Sequence, residues 1–189
     1  RIIRWMLEEI AVPYQTQILE YDSTMKDREY LAINPMGKVP AIKHNDTVVT
    51  ECAAICAYLA DTFPSANLAP TPSERGAYYR WLFFAAGPLA QATEIRALGI
   101  NIPKDKERML GYGNYQNTVD TLAQTLSKSK YITGNRFTAA DIYIGSHIGF
   151  GMYTDILEKR PEFIAYWNLL KDRPAKIRAE KIDGELPHK

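Results

Sequence analysis

The sequence predicts two unlike parts: a small mixed α/β domain over residues 1–63 and a larger all-helical domain over residues 74–189, joined by a linker at 64–73. Three observations predict it. Helical and strand-like patterns alternate in the first third of the chain. The stretch FPSANLAPTPS, residues 63–73, is dense in Pro and Ser and reads as a connection. Beyond it strand signals nearly vanish, while helical stretches follow one another.

Taken in order, Ile3, Met6, Leu7 and Ile10 recur at i, i+3, i+4, i+7 with Arg4 and Glu8 on another face. The chain therefore opens in a helix, and Pro13 ends it. Residues 14–19 read as a strand. Residues 26–33 read as a short helix closed by Asn34-Pro35, because the residue before a proline is pushed out of helical conformation. Residues 41–43 and 47–50 flank a His-Asn-Asp turn and predict a hairpin. Thr50 is the expected cap of a helix running to Asp61. A helix that crosses over a parallel sheet needs a strand on either side of it; an N-terminal strand is accordingly expected before Arg1.

In the second part, helices are expected over 74–98, 104–128, 138–152, 162–172 and 175–181. Gly87-Pro88 should bend the first of these, since Pro88 removes one rung and crowds the preceding turn. Thr138-Ala-Ala-Asp141 has the form of a capping box, a hydroxyl at the cap and an acid three residues on. Gly145 and Gly149, four apart on the same helix, suit close packing rather than a phosphate loop. Tyr78, Trp81 and Phe84 crowd the long helix before Pro88 and read mostly as core, as does His147. There is no internal repeat and no low-complexity segment.

Composition narrows the function. Of the 189 residues 46% are hydrophobic and 24% charged, an ordinary globular balance, and the formal net charge is +1. That leaves no electrostatic case for nucleic acid or for an anionic membrane. No apolar run is long enough to span a bilayer. The two cysteines, Cys52 and Cys56, read as reduced thiols of a cytoplasmic protein, since a bridge so close within one helix is awkward. The three histidines lie far apart, and no spacing resembles a metal site; no metal is expected.

The stretch NPMGKVPAI, residues 34–42, is anomalous: Pro40 stands at the start of a strand, where its missing N–H forfeits a ladder bond. NPMGKVPAI, then TECAAICAYL, then FTAADIYIGSHI, in that order and at these separations, resembles the cytosolic glutathione transferases of the bacterial type. The opening RIIRWMLEEIAVPY is similar to that family's first helix, and the likeness covers essentially the whole chain. The resemblance implies a thioredoxin-like N-terminal domain, lacking its first strand in this sequence, and an all-α helical-bundle C-terminal domain. It implies glutathione as co-substrate, a small electrophilic and largely apolar second substrate, detoxification as the role, and a two-fold homodimer.

It also implies a site. The Val39–Pro40 bond is expected to be cis, turning the N–H and C=O of Val39 toward the cysteinyl backbone of glutathione, as an added strand would meet them. Lys38 would meet the glycyl carboxylate. Glu51 and Cys52 would open the helix after the hairpin, where free N–H groups and the positive dipole end suit the γ-glutamyl carboxylate, and Glu51 would attract the γ-glutamyl ammonium. Cys52 departs from the family's usual serine, and a thiol donates more weakly than a hydroxyl. A thiol at a helix start could also form a mixed disulfide with glutathione.

Catalysis in such an enzyme needs a donor near the glutathione sulfur to favour its thiolate. In the family that donor is a Ser, Tyr or Cys between the first strand and first helix, which falls before Arg1, so no residue here is assigned as catalytic. A conjugating transferase is the leading expectation. A glutathione-dependent thiol transferase or reductase, and a non-catalytic transferase-like interaction module, are the alternatives.

Overall fold

The computed structural model of the chain describes residues 1–184. It opens with helix α1 (Ile2–Ile10), whose Ile3, Trp5, Met6 and Ile10 are buried. A 3-10 turn (Thr24–Lys26) leads into α2 (Arg28–Ile33), which ends at Asn34. Strands β1 (Ala41–His44) and β2 (Thr47–Thr50) form an antiparallel hairpin in which Ala41 faces Thr50 and His44 faces Thr47. Its two-residue turn needs a left-handed residue, and Asn45 supplies it at φ 55°. Helix α3 (Cys52–Thr62) follows at once.

Two expectations for this part do not hold. Residues 14–19 form no strand: among the described residues no neighbouring strand offers them a ladder. Side chains tether the segment to α1 instead. Arg4 Nη1 donates to Thr16 Oγ1 at 2.9 Å, and the Tyr14 hydroxyl donates to Glu8 Oε1 at 2.8 Å. Thr50 is not the cap of α3; it belongs to β2, and the cap position falls on Glu51.

The connection at 64–73 is tied down along its length. Two 3-10 turns (Pro64–Ala66 and Pro72–Glu74) lie in or border it, Leu68 is buried, and the Leu68 carbonyl accepts the Ala139 N–H at 2.9 Å. Beyond it lie α4 (Arg75–Phe84), α5 (Ala90–Ala97), α6 (Tyr115–Leu126), α7 (Ala139–Tyr153), α8 (Pro161–Leu170) and α9 (Pro174–Asp183).

The expected helix over 74–98 is interrupted. Between α4 and α5 the chain forms a π segment, Ala85–Leu89, around Gly87-Pro88. The missing N–H of Pro88 breaks the α ladder, and the wider π turn absorbs the mismatch. The stretch 104–128 is not one helix either. A 3-10 segment (Lys104–Met109) is cut off from α6 by Gly111 and Gly113, the latter at φ 71°.

Helix α7 is the axis of the molecule. It is apolar on every side, and Ile142, Ile144 and Ile148 are wholly enclosed. Neighbours approach closely because the helix carries glycine where they press. A Cβ on Gly145 would lie 2.5 Å from Leu170 Cδ1, and one on Gly149 would lie 2.7 Å from the Trp167 ring. The Thr138–Asp141 capping box forms as expected. Asp141 does more than cap, because its buried carboxylate also accepts the Ile132 N–H at 2.8 Å and the Tyr166 hydroxyl at 2.7 Å.

The core runs unbroken through both parts, joining Trp5 and Met6 of α1, Ile55 and Leu59 of α3, Tyr78 and Leu82 of α4, and Phe163 of α8. Ion pairs fasten the outside of the same junction. Arg4 meets Asp183 at 2.6 Å, Arg173 meets Glu9 at 2.6 Å, and Arg178 meets Glu8 at 2.8 Å, so α9 is clamped along α1.

Candidate functional site

The turn that carries Lys38 and Val39 is held by side chains of α2 and the turn before it. The Tyr30 hydroxyl and Asn34 Nδ2 both donate to the Lys38 carbonyl, at 2.5 and 2.7 Å. Lys26 Nζ donates to the Gly37 carbonyl at 2.9 Å, and the Gly37 N–H donates to the Asn34 carbonyl at 2.8 Å. Gly37 sits at φ +57°, and a Cβ there would lie 2.9 Å from Lys26 Nζ and 3.1 Å from the Met25 carbonyl oxygen. Only glycine accepts that conformation in that space.

The chain then leaves the turn through Lys38, exposed, and Val39, 45% exposed. The Val39–Pro40 peptide is cis, as the resemblance implies. Val39 has no backbone hydrogen bond to any other described residue. The Lys38 ammonium has no carboxylate partner among the described residues.

The hairpin register brings the second half of the site alongside. Ala41 pairs with Thr50, so Pro40 and Val39 come out of the ladder opposite Glu51 and Cys52, the start of α3. At that start no side chain caps the helix, leaving the first N–H groups, from Cys52 to Ala54, as unused donors. Glu51 itself adopts φ 66°, ψ 119°, an unusual backbone conformation for a residue with a side chain. Lys38, Val39 and Pro40 precede β1, and Glu51 and Cys52 follow β2, so the register sets the two groups at the same end of the hairpin. That end offers a backbone N–H and C=O, a helix dipole tip, one ammonium and one carboxylate. That set complements a short zwitterionic peptide with two carboxylates.

Three contributors escaped the sequence reading. Tyr30 and Asn34 fix the turn, and their signal was the Asn-Pro-x-Gly spacing, read only as a helix stop. Tyr143, from α7, lies under the start of α3 within electrostatic reach of Cys52, Glu51 and Glu94, and burial pushes its phenol well above the usual value. It stays a neutral hydroxyl at physiological pH. No sequence pattern connects it to the hairpin.

His147 lies partly covered on α7, edge-on to Tyr143 at 4.7 Å, and burial lowers its pKa to about 4. It is neutral at physiological pH, a packed ring rather than a proton shuttle. Tyr78 and Trp81 are core residues, whereas Phe83 stands 71% exposed on the outer face of α4.

Comparison with known proteins sets this geometry in a family. Residues 1–62 match the model of the glutathione S-transferase N-terminal domain. The chain is 30% identical to glutathione S-transferase GstA of Escherichia coli O157:H7, over 82% of this chain and 79% of the relative. It is 28% identical to glutathione S-transferase 3 of Schizosaccharomyces pombe, over 96% and 83%. Among solved structures, a glutathione transferase from Methylococcus capsulatus superimposes with a TM-score of 0.79 at 26% identity, covering 96% of this chain and 92% of that one. The Phanerochaete chrysosporium transferase URE2P6, solved in complex with oxidized glutathione, gives 0.75 at 28% identity, covering 96% and 89%. The fold is thus a thioredoxin-like N-terminal part joined to an all-helical C-terminal part, and the chain belongs to the glutathione S-transferase family.

Proposed function

We propose that this protein is a glutathione transferase that joins the glutathione thiolate to small, electrophilic, largely apolar molecules. Val39 pairs through its backbone with the cysteinyl residue of glutathione. Lys38 meets the glycyl carboxylate. The N–H groups at the start of α3, Cys52 among them, hold the γ-glutamyl carboxylate, and Glu51 faces the γ-glutamyl ammonium. Pro40 keeps the edge open by having no N–H to offer a neighbouring strand. These residues bind and orient the tripeptide; the donor to its sulfur is not among them.

The observation that carries the reading is the hairpin register, Ala41 against Thr50, which sets the unpaired Val39 edge beside the uncapped start of α3. The relative crystallised with oxidized glutathione supports the choice of peptide. A cytoplasmic detoxifying role fits the unbridged Cys52 and Cys56. A homodimer fits the exposed Tyr79 and Phe83, one turn apart on α4.

Retention on immobilised glutathione, followed by turnover of a generic aryl halide with free glutathione, tests the proposal. Both are expected. Retention without turnover would make the protein a binding module, and no retention would remove the glutathione site. Sedimentation at working concentration is expected to give twice the 21.5 kDa chain mass.

A further inference from the structure

Two side-chain donors converge on one backbone carbonyl beside the candidate site. The Tyr30 hydroxyl reaches the Lys38 carbonyl oxygen at 2.5 Å, and Asn34 Nδ2 reaches the same oxygen at 2.7 Å. Both residues are buried, Tyr30 within α2 and Asn34 at its end. The Asn34 amide is itself held in one orientation: its Oδ1 accepts the Met36 N–H at 3.1 Å, which leaves Nδ2 facing Lys38. The preceding carbonyl, that of Gly37, accepts from Lys26 Nζ at 2.9 Å. Two successive carbonyls are thus drawn toward α2 and the 3-10 turn before it.

Peptide geometry turns this clamp into a direction. Among the described residues the cis bond is Val39–Pro40, so the Lys38–Val39 peptide is trans. In a planar trans peptide the C=O and the N–H point opposite ways. A Lys38 carbonyl pinned inward therefore sends the Val39 N–H outward, where Val39 is exposed and no described residue accepts that N–H. A free peptide plane at an exposed edge can swing about its two flanking Cα atoms and exchange those ends. Two donors on one oxygen oppose the swing.

We propose that Tyr30 and Asn34 are positioning residues for the peptide ligand: by holding the Lys38 carbonyl inward they aim the Val39 N–H at the cysteinyl carbonyl of glutathione, and so set affinity without touching the ligand. The proposal rests on the binding reading above, in which Val39 meets the cysteinyl backbone. A donor already aimed gives up less freedom when its acceptor arrives, and affinity rises accordingly. Two variants separate the contacts. Tyr30→Phe removes only the hydroxyl. Asn34→Asp keeps an oxygen for the Met36 N–H and sets a second oxygen against the Lys38 carbonyl, which it repels.

Calorimetry with two ligands tests this. S-methylglutathione carries the cysteinyl carbonyl. A matched analogue replaces its cysteinyl–glycine amide with a trans double bond, which keeps the length and both carboxylates and removes that carbonyl. Affinity for S-methylglutathione is expected to fall about two- to fivefold in Tyr30→Phe and at least about tenfold in Asn34→Asp. The analogue is expected to bind the native protein and both variants alike, within about twofold. Equal losses for both ligands would make Tyr30 and Asn34 braces of the turn and overturn the aiming role, as would no loss for either. The residual dipolar coupling of the Val39 N–H, measured without ligand, reads the direction of that bond by itself. It is expected to fit a bond directed away from α2 in the native protein, and to change in Asn34→Asp while the couplings of α1 and α3 hold. An unchanged coupling overturns the proposal. A native protein that binds neither ligand counts against the binding reading instead, and the coupling still decides whether Tyr30 and Asn34 aim the Val39 N–H.

Discussion

Tyr166 donates a 2.7 Å hydrogen bond to the Asp141 carboxylate, although 25 residues separate the two in the chain. The same carboxylate accepts the Thr138 N–H at 2.8 Å, the Thr138 hydroxyl at 3.0 Å and the Ile132 N–H at 2.8 Å. One buried acid thereby fastens the start of α7, the loop before it, and α8.

Replacing that acid costs more than a lost cap. Asp141→Ala strands several buried donors at once, and the expected loss is about 3–5 kcal/mol of folding stability. Tyr166→Phe removes one donor and is expected to cost about 1–2 kcal/mol. Urea denaturation of the two variants and of their double mutant measures both values. A loss below about 1 kcal/mol for Asp141→Ala would show that the carboxylate acts as a cap alone.

The partly buried His147 makes stability depend on acid. Its folded-state pKa is lowered to about 4 by burial, below the ordinary value of about 6.5. The unfolded chain therefore binds the proton first. The contribution is fully present above about pH 6.5 and is lost as pH falls toward about 4. Because the ring is only partly covered, about 1–2 kcal/mol should be gone by pH 5. His147→Leu is expected to flatten the stability profile between pH 7 and 5, and an unchanged slope would contradict the assignment.

Glu51 holds a backbone conformation that glycine adopts more easily, at φ 66°. Glu51→Gly should leave stability unchanged or raise it by up to about 1 kcal/mol, since it relieves strain while loosening the unfolded chain. The same substitution should weaken glutathione binding about tenfold or more, through loss of one charge-assisted contact. Thermal melts and calorimetry separate the two effects. A large loss of stability would mean that the side chain braces the fold.

Cys52→Ser exchanges a weak donor for a stronger one at the tip of α3. Reduced glutathione should bind this variant about two- to fivefold more tightly, within the net value of one hydrogen bond. Weaker binding would show that the carboxylate is met by the backbone alone or elsewhere.

Gly145 packs against α8 where a methyl group would overlap Leu170 at 2.5 Å. Gly145→Ala should cost about 1–3 kcal/mol, the usual price of overpacking a core. A neutral result in chemical denaturation would mean that α8 slides away without loss.

Much of this molecule could be read from its residues, where the cause of a feature is local. The hairpin follows from two short strand-like runs around Asn45-Asp46, and the start of α7 follows from Thr138 and Asp141. Val39-Pro40 announced an unusual strand edge, although its meaning came through resemblance. The failures share a different cause. Residues 14–19 have strand character, but a strand also needs a neighbour, and composition does not supply one. Pro88 signalled a disturbed helix without saying that a π turn would absorb it. Glutamate carries no signal for a positive φ at position 51. Tyr143 reaches the start of α3 only through the packing of α7 beneath it.

The charged seam between α1 and α9 bears on how the molecule comes apart. Arg4, Glu8 and Glu9 near the start of the chain are anchored to Asp183, Arg178 and Arg173 near the far end of the described residues. Neither α1 nor α9 can part from the other without abandoning its counter-charges, so the two should open as one unit. Heating should accordingly produce a single calorimetric transition. A protease cut just before Pro174 would undermine α1, and with it the packing of α3, the helix against which the hairpin lies.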